Sequence, residues 1–205
     1  KFFPNAEFVG HPLLDLPAPE PDPELAGRRV VALLPGSRRQ EIQRHLGLML
    51  DVARALRARG ERPVLSVAHP GLVDLFQGVD CETWVGDPRR LVASAEKAVV
   101  KSGTSTLETA LIGTPFVTVY RLSWLSYAIG RFLVKAKRIA MPNILLEADA
   151  VPELIQADAT PERVVAALDG LDVAGQQRAF ARLRTLLGDH GSAERAARLA
   201  LGMIA

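Results

Sequence analysis

Arg29-Val30-Val31-Ala32-Leu33-Leu34-Pro35-Gly36-Ser37-Arg38-Arg39-Gln40-Glu41 changes character twice within a few residues. The unbroken apolar run reads as a buried strand, the Pro-Gly turn ends it, and a helix follows. In that helix Ile42, Leu46, Met49, Leu50, Ala53 and Leu56 recur at helical spacing until Gly60 supplies a stop. The same succession repeats downstream, with strands expected at residues 29–34, 63–67, 82–85, 97–100 and 115–119. Strands alternating with helices imply βαβ units, and hence an α/β fold in which a Rossmann-like parallel sheet is flanked by helices. From about Thr160 the pattern is helical to the end, with breaks near Gly170 to Gly175 and at Gly188 to Gly191.

A second turn has the same design. Ala98-Val99-Val100 leads into Ser102-Gly103-Thr104-Ser105-Thr106-Leu107-Glu108, which puts small residues before a helix and a carboxylate about one turn inside it. Unpaired N–H groups at a helix start attract phosphate, which would sit at Gly103 to Ser105 while Glu108 accepts hydrogen bonds from ribose hydroxyls. An S-x-x-E capping box between Ser105 and Glu108 explains the same letters without a ligand. In the first turn, Gly36 lets backbone approach a ligand, Ser37 caps or donates, and Arg38 offers a planar fork for phosphate oxygens; an ordinary capped turn with solvated arginines is the alternative. Neither turn matches G-x-G-x-x-G or G-x-x-x-x-G-K-[ST], which disfavours a dinucleotide oxidoreductase and a Walker ATPase. Ligands of open parallel sheets bind beyond the carboxyl ends of strands, where both turns would share one site.

The 205 residues are 48% hydrophobic, enough for a sizeable core, and the formal net charge of +2 gives no reason to expect nucleic acid. Cys81 stands alone, so no internal disulfide framework exists, and it reads as incidental rather than reactive. No stretch reaches the roughly 20 apolar residues of a membrane span, and no signal peptide is expected. Pro17-Ala18-Pro19-Glu20-Pro21-Asp22-Pro23 cannot sustain a helix or a central strand and reads as an extended interdomain linker. The division is therefore an interdomain segment with linker over 1–28 and a ligand-binding domain over 29–205. His45 is expected at the surface of its helix, His69 and His190 in loops, and His11 in a hinge. With no H-E-x-x-H and no Cys-His cluster, neither a metal nor a cofactor is expected.

Between Thr109 and Leu146 there is no acidic residue, yet Arg121, Arg131, Lys135, Lys137 and Arg138 occur among many apolar ones. On a helix from about Ser123 to Lys135, Leu125, Ile129, Phe132 and Leu133 would face the core, while Trp124, Tyr127, Arg131 and Lys135 form another face. That aromatic-basic stripe suits an anionic bilayer surface, and equally a partly buried helix whose cations reach water.

A set of segments in order resembles the lipid-A-disaccharide synthases, glycosyltransferases of the two-domain GT-B fold. They are Phe8-Val9-Gly10-His11-Pro12-Leu13-Leu14-Asp15, Leu33-Leu34-Pro35-Gly36-Ser37-Arg38, Lys101-Ser102-Gly103-Thr104 with Glu108, Val119-Tyr120-Arg121, and Met141-Pro142-Asn143-Ile144-Leu145. The resemblance covers that family's C-terminal, donor-binding half, so an N-terminal acceptor domain is expected to be absent here and the isolated chain to be inactive. It implies an inverting transfer of 2,3-diacylglucosamine from its UDP derivative to 2,3-diacylglucosamine 1-phosphate, giving a β-1,6 disaccharide and UDP. In that reading Gly36, Ser37 and Arg38 meet the UDP leaving group, Ser102, Gly103, Thr104 and Ser105 its phosphates, Glu108 the ribose, and Asn143 the sugar or phosphate. The uracil would meet backbone near Trp84-Val85-Gly86-Asp87. The setting implied is the bacterial cytoplasm, peripheral on the inner membrane. Competing readings are another UDP-sugar enzyme of this architecture, an epimerase or a lipid-intermediate transferase, and a nonenzymatic partner-binding remnant.

Overall fold

The computed structural model describes residues 6–25, 29–122 and 138–202. At its centre β1 (Val30–Leu34) is buried along its whole length. It pairs in parallel with β2 (Arg62–Val67), Val30 opposite Arg62, and with β4 (Lys97–Lys101), Val31 opposite Lys97. Outward from these lie β3 (Glu82–Val85) on one side and β5 (Phe116–Tyr120) then β6 (Glu153–Ile155) on the other, so the order is β3-β2-β1-β4-β5-β6 with every pairing parallel.

Because successive strand side chains point to opposite faces, one apolar run feeds two cores. Val30, Ala32 and Leu34 join the core under α2 (Pro88–Ser94), α3 (Thr104–Ile112), α4 (Met141–Leu146) and α6 (Val173–Leu187). Val31 and Leu33 join Ile42, Met49, Val52 and Leu56 of α1 (Arg39–Ala58) and Val164 and Leu168 of α5 (Pro161–Asp169). Each such valine, leucine, isoleucine or methionine side chain taken out of water contributes roughly 1.5–3 kcal/mol. The Phe116 and Phe180 rings stack at 5.8 Å across the first core.

The five expected strands are present within a residue of their expected ends. The sixth, β6, was not expected: three half-buried residues beginning with a glutamate carry no apolar run. Its formation depends on β5, whose Thr118 pairs with Glu153. Beyond the reach of β6, the buried Gln176 amide satisfies the start of β5, accepting from Phe116 N–H at 2.9 Å and donating to its carbonyl at 3.0 Å.

The N-terminal segment packs along the domain. The Pro17–Pro23 stretch is pinned to α2, where Arg89 donates to Pro17 O at 2.6 Å and Asp22 N–H donates to Ser94 Oγ at 2.7 Å. Asp15 receives the start of α7 (Ser192–Gly202), accepting from Gly191 N–H at 2.5 Å, Ser192 O–H at 2.6 Å and Ala193 N–H at 3.2 Å. Those bonds, the Ser192 hydroxyl foremost, hold its carboxyl down at about 2. No described helix is long and apolar enough to cross a membrane. Trp124, Tyr127, Arg131 and Lys135 lie outside the described residues.

Candidate functional site

The chain builds β2 and β3 on one side of β1 and then crosses back to lay β4 on the other. Strand order therefore reverses between β1 and β4, and the crevice beyond their carboxyl ends is where open α/β sheets take ligands. Both glycine turns emerge there. Gly36 has φ +124° and Gly103 φ +152°, values that strain any other residue. The long α1 and the shorter α3 begin directly after these turns, so two sets of unpaired N–H groups and two positive dipole ends face one crevice.

A cavity of about 320 Å³ opens at the start of α1, lined by Arg38, Arg39, Arg44 and Lys101 with a single carboxylate, Glu41. Arg39 is engaged bidentately by Asp74, at 2.7 and 3.1 Å. Arg38 caps α1 with its side chain 81% exposed, touching Glu41 at 3.1 Å. Lys101, the last residue of β4, is only 12% exposed; its ammonium lies 2.9 Å from Glu41 and 5.7 Å from the centre of the Tyr120 ring. Burial pushes the Glu41 carboxyl up, but the Lys101 ammonium, the Ser37 N–H and the Arg38 guanidinium outweigh it and hold it below its ordinary value. Converging cations and backbone donors of this kind suit a phosphorylated ligand.

His45 departs from its expected place at the surface: it is 1% exposed beneath this cavity. The apolar stripe of α1 runs through it, and its ring stacks on Tyr120 at 6.0 Å. Nε2 accepts from Arg121 N–H at 3.0 Å, so Nδ1 carries the proton donated to Glu41 O at 2.8 Å. Burial, with Lys101 and Arg44 nearby, lowers its pKa, and the ring stays neutral. It ties the end of β5 to α1.

Of the expected site residues, Gly36, Ser37, Arg38 and Gly103 border the crevice, and Thr104 and Ser105 are the first two residues of α3. The Ser102 hydroxyl donates to Ile139 O at 2.8 Å and its N–H to Val119 O at 3.0 Å, so both donors are engaged within the chain. Asn143 is likewise engaged within the chain. It lies inside α4, 1% exposed, bonding both N–H and C=O of Val151 at 2.9 and 2.8 Å and the Glu153 carboxylate at 2.8 Å. That carboxylate also accepts from Ile139 and Ala140 N–H, so Asn143 belongs to the brace between α4 and β6.

Glu108 makes no cap at the start of α3. The reach-back instead occurs at α1, where Glu41 accepts from Ser37 N–H at 3.4 Å. Glu108 lines a different cavity, of about 470 Å³, with Arg89 of α2 and Leu13, Leu16 and Pro19 of the N-terminal segment. Burial raises its pKa against the pull of Arg89. Nearby, Gly86 N–H bonds Val67 O and Asp87 caps α2. Sequence reasoning passed over Lys101, Glu41 and Tyr120 as site residues. The signal for Lys101 was a charge directly after the apolar Ala98-Val99-Val100 run, and for Glu41 its place three residues after the helix cap.

A parallel sheet with this strand order and two glycine turns at its reversal point has the fold of one half of the GT-B glycosyltransferases. Spinosyn rhamnosyltransferase SpnG has this fold: it superposes with a TM-score of 0.56 at 17% identity, covering 87% of this chain and 47% of that one. The family described as Lipid-A-disaccharide synthetase matches residues 1–196. The lipid-A-disaccharide synthases of Anaeromyxobacter sp. (strain K) and Syntrophus aciditrophicus (strain SB) are 38% and 39% identical over 98% of this chain. The chain belongs to the lipid-A-disaccharide synthase family. It spans 58% of the length of those relatives.

Proposed function

We propose that this chain is the donor-binding part of a lipid-A-disaccharide synthase, taking 2,3-diacylglucosamine as its UDP derivative and passing it to 2,3-diacylglucosamine 1-phosphate. The observation that carries the reading is the crevice at the β1–β4 reversal, where two helix starts and Arg38 converge in a member of this family. Gly36, Ser37, Arg38, Gly103, Thr104 and Ser105 hold the diphosphate, Glu108 holds the ribose hydroxyls, and the backbone near Gly86 and Asp87 receives the uracil. The acceptor hydroxyl attacks the anomeric carbon as the bond to UDP breaks, its proton passing to a base from outside this chain and the electron pair leaving on the diphosphate. Donors fixed at the crevice stabilise that growing negative charge without reorganising. The acceptor side of the cleft belongs to the part of the relatives' length that this chain does not span. The stripe of Trp124, Tyr127, Arg131 and Lys135 docks the enzyme on an anionic bilayer, where acylated substrates reside.

Calorimetric titration of the chain with UDP tests the reading, together with a disaccharide assay. UDP binds, and product forms only when an acceptor half is supplied. A folded chain with no UDP affinity overturns the nucleotide site, and robust turnover by the chain alone overturns the split cleft.

A further inference from the structure

We propose that Lys101 is a second diphosphate-binding cation of the crevice and that Glu41 is the counterion it exchanges for the ligand's phosphate. The inference rests on the crevice being a nucleoside-diphosphate site, and it names a residue pair beyond Arg38 and the glycine turns. Three kinds of donor converge on Glu41: an ammonium from β4 at 2.9 Å, a guanidinium at the helix cap at 3.1 Å, and the Ser37 N–H at 3.4 Å. That set is what a phosphate oxygen seeks, and here a carboxylate of the chain itself occupies it.

The seat is built. A Cβ at Gly36 would lie 2.8 Å from both Cβ and Oε2 of Glu41, so only glycine lets the carboxylate fold back over the turn. Lys101 reaches Glu41 from the neighbouring strand, its Nζ 2.9 Å from the carboxylate and 3.4 Å from where a Cβ on Gly103 would stand, and so lies beside the second turn. Its stem is enclosed and its ammonium rests near the Tyr120 face, leaving little freedom to follow Glu41 elsewhere. Glu41 is the movable partner. It sits on the first turn of α1, and the exposed Arg44, three residues on, offers it another cation on the same helix face. When a diphosphate arrives, its oxygens take the Lys101, Arg38 and Ser37 donors, and the displaced carboxylate turns toward Arg44. The free crevice thereby avoids an unpaired, largely buried ammonium, and the ligand must compete with an internal anion.

A structural ion pair and an exchangeable one respond oppositely to neutralising Glu41. Calorimetry of the full chain with UDP, UMP and uridine separates them, using Glu41→Gln, Lys101→Gln and the double variant. Exchange requires Glu41→Gln to tighten UDP by roughly three- to tenfold and to leave uridine unchanged. It requires Lys101→Gln to weaken UDP by roughly tenfold or more, UMP less and uridine hardly at all. In the double variant the gain from Glu41→Gln shrinks, because the cation it competed for is gone. If wild type binds UDP while Lys101→Gln, folded, binds it equally well, the proposal fails and the nucleotide site stands. If Glu41→Gln weakens UDP or leaves it unchanged, the pair is a brace and the proposal fails again. Should Lys101→Gln not fold, Glu41→Gln decides alone by the sign of its effect. Wild type without UDP affinity removes the nucleotide reading and this inference together.

Discussion

Arg38 and Glu108 line different cavities, and the proposed assignments give them different parts of UDP. Arg38→Ala should weaken UDP roughly ten- to hundredfold and uridine hardly at all, whereas Glu108→Ala should weaken both; calorimetry reads the contrast. Equal UDP affinities in wild type and a folded Glu108→Ala would sink the ribose assignment. Ser102 and Asn143 illustrate why polar residues near such a site resist reading from their letters. A hydroxyl or amide that suits a phosphate also suits a carbonyl, and here Ile139 O and the Val151 backbone claimed them first.

At the scale of elements, His45 joins α1 to the end of β5, and its state is set by burial. Its pKa lies below the ordinary 6.5 when folded, so between the two values the unfolded chain binds the proton and the folded chain does not. The stabilising contribution is complete above about pH 6.5 and declines as pH falls toward the lowered folded value. His45→Phe keeps the stack on Tyr120 but leaves Arg121 N–H without its acceptor. It should cost about 1–3 kcal/mol at pH 7.5 and remove this part of the acid dependence, as urea midpoints from pH 7.5 to 5 would register. An undiminished wild-type slope in the variant would refute the assignment. α7 presents a second case, since everything in it beyond Ser192 is exposed and so short a helix is marginal alone. Its hold is the Asp15 cap together with Arg195, which donates to Val9 O, His190 O and Asp189 O. The cap's contribution is full above the ordinary carboxyl value of 3.8 and is lost as pH falls through about 2. Asp15→Asn turns a donor toward donors, so amide exchange in residues 192–202 should rise while the sheet keeps its protection. Unchanged exchange in α7 would show that Arg195 suffices.

At the scale of the whole molecule, the donor crevice and the proposed bilayer contact are assigned to different residues, and their independence is testable. Each basic residue near an anionic surface contributes roughly 1 kcal/mol, screened over about 10 Å at 0.1 M salt. Arg131→Glu with Lys135→Glu should reduce sedimentation with anionic liposomes, more so at low salt, and leave UDP affinity as it was. Undiminished liposome binding by the folded double variant would return the stripe to packing or to a protein partner.

The sequence by itself determined five of the strands and the fold class. Val30 to Leu34 is apolar without interruption because a central parallel strand is covered on both faces, and the glycines at 36 and 103 mark turns whose backbone demands them. Those are local properties, written where they act. Which polar groups remained available was decided only in three dimensions. β6 exists because β5 offers it an edge, Asn143 closes onto Val151 and Glu153, and His45 goes inside because its two ring nitrogens find a carbonyl and an amide from different elements. Lys101 and Glu41 are 60 residues apart, and only the reversal of strand order between β1 and β4 makes them neighbours. A hydrogen bond has no sequence period, so its partner becomes known only when the sheet has brought the strands together.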